Sequence, residues 1–231
     1  MNDRIKLIVL NGSPNKNGNT SSVIKWVVQG AKTLGAEVDW IQISDLDITY
    51  CQGCNNCLKT GKCVINDDLP KVVQKIENAD GIIVGSPVYG GKITAQLKTL
   101  IDRITLLKLY AGILENGYSI GVATSGIAPT KKVAKEAANM FGKRIGVIGI
   151  KTASLSGKFK YINEKSDHKK REKAIKLGKT LAVHCEKGGK YWSLKSAWIN
   201  FLRKHFLKRL IKRNRGKFAG VIEIWKKKGW L

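Results

Sequence analysis

At 231 residues and 25.5 kDa the chain has room for one well-buried α/β domain with an appended segment, and too little for two full-sized domains. Lys and Arg number 42 against 17 Asp and Glu, a formal net charge of +25. A field of that sign attracts phosphate groups, anionic cofactors, acidic proteins, nucleic acid or an anionic membrane, and does not by itself choose among them. No apolar run approaches a membrane span, and Met1 to Arg4 leads into Ile5 without the long apolar segment and small-residue cleavage site of a signal peptide. A cytoplasmic protein is expected, in a compartment where thiols stay reduced.

Ile5 to Leu10 is a nearly continuous aliphatic run, the pattern of a strand buried on both faces of a parallel sheet. It ends in the polar loop Asn11-Gly-Ser-Pro-Asn-Lys-Asn-Gly-Asn-Thr20, after which Val23, Trp26, Val27, Gly30, Ala31 and Leu34 recur at helical spacing. Val38 to Ile43 is a second strand. Beyond a cysteine-rich loop, Asp67-Asp68 opens a helix through Val72, Val73 and Ile76, with its acids at the positive end. Gly81 to Gly85 is a third strand, running into Ser86-Pro-Val-Tyr-Gly-Gly91 and a helix through Ala95, Leu97, Leu100, Ile101 and Ile104. Tyr118 to Ala123, then Ile145 to Ile150, make the fourth and fifth strands, separated by Thr124-Ser-Gly-Ile-Ala-Pro129 and the helix of Val133, Ala137 and Met140. Lys169 to Glu186 closes the series as a helix. Five strands alternating with helices predict a doubly wound parallel sheet, because parallel neighbours need crossovers and the crossover helices cover both faces. Ligands of such sheets lie outside the carboxyl ends of the strands, where the three Gly-bearing loops stand.

The loop between the second strand and the Asp67-Asp68 helix reads Cys51-Gln-Gly-Cys54-Asn-Asn-Cys57-Leu-Lys-Thr-Gly-Lys-Cys63. Four thiols spaced this tightly suit one inorganic centre better than a disulfide framework. Thiolates are soft donors that hold iron or zinc, and Gly53 and Gly61 give the backbone freedom to wrap a centre. The run resembles those that hold cubane 4Fe-4S clusters; zinc, another structural use and plain thiols are the competing readings. Cys185 stands alone in a helical pattern and reads as a semi-buried core thiol.

Ser13, Asn15, Asn17, Gly18, Asn19, Thr20 and Ser21 lie where the first helix begins. Hydroxyls and backbone N–H groups aligned with the helix dipole make a phosphate site there; alternatively the same residues only cap the helix. The loop lacks the Gly-Lys-Ser/Thr ending of a Walker motif and does not match the three-glycine dinucleotide fingerprint, which disfavours nucleotide triphosphate hydrolysis. Pro87 and Tyr89 supply rigid apolar walls, and Gly90, Gly91 and Gly126 let backbone N–H groups approach a planar ring. A monophosphate at one end and a flat polar ring at the other describe FMN.

These residues carry a resemblance. Gly12-Ser-Pro with Gly18-Asn-Thr20, then Ala79-Asp80 leading through Gly85-Ser-Pro-Val-Tyr89 to Gln96-Leu-Lys98 and Asp102-Arg103, resembles the flavodoxin-like NAD(P)H-dependent FMN reductase family over residues 4 to 150. With the four-cysteine loop the chain is similar to the iron-sulfur flavoprotein branch, and Trp225-Lys-Lys-Lys-Gly-Trp-Leu231 resembles the end of such chains. The resemblance implies a flavodoxin-like fold with a five-stranded sheet, one FMN per chain, and a cubane cluster on Cys51, Cys54, Cys57 and Cys63. It also implies homodimers or homotetramers in which electrons pass between the cluster and flavin of neighbouring subunits. Ser13, Asn19, Thr20 and Ser21 would meet the FMN phosphate. Pro87, Val88, Tyr89 and Gly90 would line the isoalloxazine, with Thr124, Ser125 and Gly126 on its other side. The implied function is to pass electrons between a reduced donor, ferredoxin or NAD(P)H, and an acceptor, with no side chain doing acid–base catalysis. A cluster-free NAD(P)H:flavin or quinone reductase, and a binding module working through its basic tail, are the alternatives.

Residues 1–186 are expected to form the flavin domain and 187–231 an extension. In the latter, Trp192, Leu194, Trp198, Phe201, Leu202, Phe206 and Leu210 interleave with Lys195, Arg203, Lys204, Lys208, Arg209, Lys212, Arg213 and Arg215 as a basic amphipathic helix. Its apolar face would pack on the core or a second subunit, dock on an anionic membrane surface, or meet an acidic partner such as ferredoxin. Nucleic acid is disfavoured, since no recognition module is visible. His168, His184 and His205 are too scattered for a metal site or a triad, and Asp102-Arg103 reads as a surface ion pair or an oligomer contact.

Overall fold

A computed structural model describes residues 4–112, 117–153, 160–163, 167–187 and 201–231, without the side chains of 203 and 204. Two compact units make up the chain: residues 1–46, 78–98 and 116–189 form the first, and 47–77, 99–115 and 190–231 the second. The cysteine loop and the basic tail therefore belong to one unit.

The strands are β1 (Lys6–Asn11), β2 (Glu37–Gln42), β3 (Gly81–Pro87), β4 (Tyr118–Ser125) and β5 (Lys143–Lys151), all parallel, in the order β2-β1-β3-β4-β5. The helices of eight described segments are α1 (Asn19–Lys32), α2 (Asn56–Thr60), α3 (Leu69–Glu77), α4 (Ala95–Leu106), α5 (Thr130–Asn139), α6 (His168–Glu186), α7 (Lys208–Arg213) and α8 (Ala219–Lys227). All five predicted strands form within two or three residues of their expected bounds. The central strands β1, β3 and β4 are buried almost throughout because helices cover both faces, whereas β2, at an edge, alternates.

On one face of the sheet, α1 and α6 lie over Leu7, Val9, Ile83, Ile120 and Val122. Their backbones touch through glycines: a Cβ on Gly178 would stand 1.8 Å from the Val27 carbonyl oxygen, and one on Gly30 would stand 2.0 Å from that of Ile175. On the opposite face α5 comes so close to β4 that a Cβ on Gly121 would meet the Ala134 oxygen at 1.9 Å. Close approach of this kind fixes helix on sheet before any large side chain contributes.

The strand order reverses between β1 and β3. The chain leaves β1 toward β2 on one side and leaves β3 toward β4 and β5 on the other, so the loops after β1 and β3 diverge and open a crevice at their carboxyl ends. Gly12 N–H donates to the Gly85 oxygen at 2.8 Å, binding the two loops at their roots.

In the second unit, α8 is an element that the helical periodicity did not isolate. Trp225 is buried at 1% exposure, and its Nε1–H donates to the Tyr110 oxygen at 2.7 Å. Lys228 Nζ donates to the Gly112 oxygen at 2.7 Å, and the rings of Phe218 and Tyr110 lie 5.4 Å apart. The single basic amphipathic helix expected in the tail takes another form. Trp192, Leu194, Lys195 and Trp198 lie outside the described residues; from Arg203–Leu207 a π-helical turn continues into α7, and the chain breaks at Asn214 and Gly216 before α8. Asn and Gly are turn residues, and here they override the apolar period. Ile211, Phe218, Val221 and Trp225 turn inward, while Phe201, Phe206 and Leu210 are exposed. Among the described residues no helix is long and apolar enough to cross a membrane.

Candidate functional site

The first helix begins without a side-chain cap. Gly18 occupies the N-cap position in extended conformation and, as a glycine, makes no side-chain cap bond, and no acid lies in the first turn. The leading N–H groups of α1 lack intrahelical acceptors and sit at the positive end of the helix dipole, which is the arrangement that receives a phosphate.

The polar side chains are occupied in building the loop. Ser13 Oγ donates to the Asn15 oxygen at 3.1 Å, Ser21 Oγ donates to the same oxygen at 3.2 Å, and the Asn15 side-chain oxygen accepts from Asn17 N–H at 3.0 Å. Asn11, at the end of β1, donates from Nδ2 to Ser21 Oγ and Gln42 Oε1, at 2.9 and 2.7 Å, and accepts from Ser13 N–H at 3.1 Å. Asn11 and Gln42 thus hold the loop in shape, a role the sequence reading did not assign. Asn19 is expected at the phosphate; its side-chain Oδ1 accepts from Ile162 N–H at 2.7 Å and its Nδ2 donates to the Lys160 oxygen at 3.2 Å. Its backbone N–H remains on the helix end. Thr20 is buried, and its hydroxyl shares a 2.7 Å hydrogen bond with that of Thr124, tying the first loop to the one after β4.

Pro87 ends β3 half-buried, and Val88 N–H donates to the Thr124 oxygen at 2.8 Å. Tyr89 and Lys92 then bond reciprocally, N–H to oxygen at 3.0 and 2.9 Å, closing a tight turn whose tip is Gly90-Gly91. Both glycines have positive φ, 55° and 77°, a combination only glycine adopts without strain. Tyr89 is 54% exposed, a flat apolar surface beside that tip. On the far strand Ser125 Oγ donates to the Ala128 oxygen at 2.9 Å, and Gly126 oxygen accepts from Ala153 N–H at 3.2 Å. The predicted FMN residues of all three loops therefore meet within the first unit, around a helix end that offers amides and a hairpin that offers a ring surface.

The cysteine loop is a separate site, in the second unit. Its base is pinched shut by two carboxylates. Asp68 N–H donates to the Asp47 oxygen and its Oδ2 accepts from Asp47 N–H, both at 3.0 Å. Asp67 accepts from Thr49 N–H and Leu69 N–H, each at 3.1 Å, the second serving as the cap of α3. Between these rivets the chain turns through left-handed residues at Gly53, Asn55 and Gly61 and winds the short helix α2 around Cys57. Cys51, Cys54, Cys57 and Cys63 all line one shallow hollow that opens to solvent, together with Ile65, Leu106, Asp102 and Arg103. Cys51 and Cys54 are exposed; Cys57 and Cys63 are half-buried. Burial pushes the Cys57 thiol up from its ordinary value, and the neighbouring Cys63, Cys54 and Cys51 push it further. Among the described residues no group of three or more His, Cys, Asp or Glu side chains is placed to grip a single metal ion.

Arg103, read in the sequence with Asp102 as a surface ion pair or an oligomer contact, is buried and pairs with Asp67. Its side chain is 0% exposed and forks onto Asp67, 1% exposed, through Nη1 to Oδ2 at 2.7 Å and Nη2 to Oδ1 at 3.2 Å, with Nη1 also donating to the Thr49 oxygen. Burial alone would raise the Asp67 carboxyl, but the bond from Arg103 and the Leu69 and Thr49 amides outweigh it and hold the group below the usual carboxylate range. Burial disfavours charge on the guanidinium, yet Asp67 and Cys63 beside it hold the proton more firmly than usual. The loop is also clamped from outside by α8: a Cβ on Gly220 would stand 1.9 Å from Gly61 N. Neither contact has a local signature, since each joins residues far apart in the chain.

Over residues 5–161 the sequence matches the NADPH-dependent FMN reductase family. It is 31% identical over 234 aligned residues to an iron-sulfur flavoprotein of Archaeoglobus fulgidus, a match covering 98% of this chain and 100% of that protein. It is 41% identical over 105 residues to an iron-sulfur flavoprotein of Methanocaldococcus jannaschii, covering 46% of this chain and 54% of that one, so the match spans about half the relative's length. Among solved structures, the NAD(P)H:quinone oxidoreductase of Methanothermobacter marburgensis has the same fold, with a TM-score of 0.58 at 14% identity over 78% of this chain and 96% of that one. The chain belongs to the NADPH-dependent FMN reductase family and, within it, to the iron-sulfur flavoprotein branch.

Proposed function

We propose that the protein is a flavin-dependent oxidoreductase that holds FMN on the loops of its first unit and a 4Fe-4S cluster on Cys51, Cys54, Cys57 and Cys63, and passes electrons between a reduced donor, ferredoxin or NAD(P)H, and an acceptor. The observation that carries this reading is the single hollow lined by all four thiols, in a chain whose other unit presents an uncapped helix end at the switch point of its sheet. FMN supplies two-electron and one-electron steps, and a cluster supplies one-electron steps; the protein positions both and sets their potentials.

The leading amides of α1 bind the phosphate dianion, and the shared hydroxyl bond of Thr20 and Thr124 keeps the helix end against the third loop. Tyr89 covers one face of the ring and the Gly90-Gly91 tip admits its polar edge. The four thiolates hold the cluster from one loop. The spacing of the four cysteines resembles the runs that hold cubane clusters, which favours a cubane over zinc. The excess of 25 positive charges favours an acidic electron-transfer partner and speeds its encounter. Homodimers or homotetramers complete the reading.

The test is the ultraviolet–visible spectrum of anaerobically purified protein, before and after dithionite, with iron and sulfide analysis. A structured flavin band on a broad brown absorbance, both bleaching on reduction, is expected. A flavin band without iron and sulfide would leave the cluster-free reductase, and a colourless protein would refute both.

A further inference from the structure

Among the described residues of the second unit, one buried side-chain nitrogen has no hydrogen-bond partner. Arg103 Nε is buried and makes no hydrogen bond, although the guanidinium around it is bonded to Asp67 and Thr49. A buried N–H without an acceptor costs free energy unless something fills the space before it. Arg103 lines the same hollow as the four cysteines, and the Cys63 thiol lies beside its guanidinium. Asp67 takes the Nη1 and Nη2 end of the planar fork, so Nε is the donor of the guanidinium that the ion pair leaves without an acceptor.

Resting on the cluster reading above, we infer that Arg103 is a positioning residue for the centre on the four cysteines: once that centre is bound, its Nε–H, unbonded in the fold, donates to a ligating sulfur on the Cys63 side of the hollow, and this donor and its charge raise the centre's reduction potential. A donor aimed at a ligating sulfur, and a cation beside it, both stabilise the reduced form, which carries one more negative charge. Asp102 also lines the hollow and acts in the opposite sense. Asp67 is tied by its two bonds to the Nη end of the fork and acts mainly to fix the plane. The fork also explains why an arginine stands here, since a lysine would place a point charge on Asp67 and present no second, fixed edge.

The experiment compares the midpoint potential of the loaded parent with those of Arg103→Lys, which keeps the ion pair, and of the double variant Arg103→Gln with Asp67→Asn, which leaves no buried charge without a partner. Each protein is purified anaerobically, reconstituted with iron and sulfide, analysed for both, and titrated by electron paramagnetic resonance. In both variants the oxidised-to-reduced equilibrium should shift toward the oxidised form by about tenfold, equal to about 59 mV for one electron. An unchanged potential in either loaded variant overturns the assignment while leaving the cluster reading intact. If neither variant takes up iron where the parent does, the pair is structural and the assignment also fails. A parent that holds no iron and sulfide overturns the cluster reading and the assignment together.

Discussion

Replacing Gly220 by alanine should loosen the cysteine loop without touching a cysteine. The added Cβ would stand 1.9 Å from Gly61 N, 2.4 Å from the Thr60 carbonyl carbon and 2.6 Å from Gly61 Cα. All three are backbone atoms, so no rotamer change relieves the clash, and α8 must withdraw from α2 by more than an ångström. Overpacking of this kind costs about 1–3 kcal/mol. The better helix propensity of alanine offsets about 1 kcal/mol at most, and less here because the position is at the helix start. Against the size of the chain a net loss of about 1–2 kcal/mol corresponds to a fall of about 2–8 °C in the thermal midpoint, from roughly 2–4 °C per kcal/mol. The assay is thermal unfolding of the apoprotein, paired with iron uptake after reconstitution, where lower iron content at unchanged flavin content is expected. Gly216→Ala is the control, because a Cβ there meets nothing within 4 Å. A Gly220→Ala protein with a midpoint and iron content equal to the control's would refute the clamp.

Cys54→Ser changes an exposed thiol, so it should remove the iron-sulfur absorbance and leave both the flavin band and the apoprotein's unfolding midpoint in place; loss of flavin with iron would contradict the separation of the two sites. Thr124→Val deletes one partner of the buried Thr20 bond and leaves the other hydroxyl unsatisfied, at about 1–3 kcal/mol. Weaker FMN binding by fluorescence titration should accompany that loss of stability. Asp67 has a folded-state pKa below its unfolded value, so its stabilisation is complete above about pH 4 and disappears as pH falls through the lower folded value. Urea midpoints followed from pH 6 down to pH 3 should fall for the parent, and less steeply for the Asp67→Asn, Arg103→Gln double variant. Equal slopes would remove Asp67 from the account.

The sheet and its loops were legible because their causes are local. Leu7 to Leu10, Ile82 to Val84 and Ile120 to Ala123 are short apolar runs, and each is followed at once by small polar residues. The four cysteines were equally plain from spacing. What escaped was decided across the chain. The Asn19 side chain bonds Lys160 and Ile162, some 140 positions away, contacts that no local pattern announces. Arg103 stands next to Asp102 in sequence yet pairs with Asp67, because successive helix residues point in different directions. The tail misled by its apolar period: Asn214 and Gly216 divide it, and the residues that pack inward come mostly after that break.

The clamp by α8 also sets an order of events during synthesis. Cys63 leaves the ribosome well before Gly220, and the 157 positions between them take about 8–30 s to translate at roughly 5–20 residues per second. For that interval the nascent chain carries four thiols on a loop whose outer wall has not been made. The finished pocket is therefore a late product of synthesis, complete only once the last helix has packed against the loop.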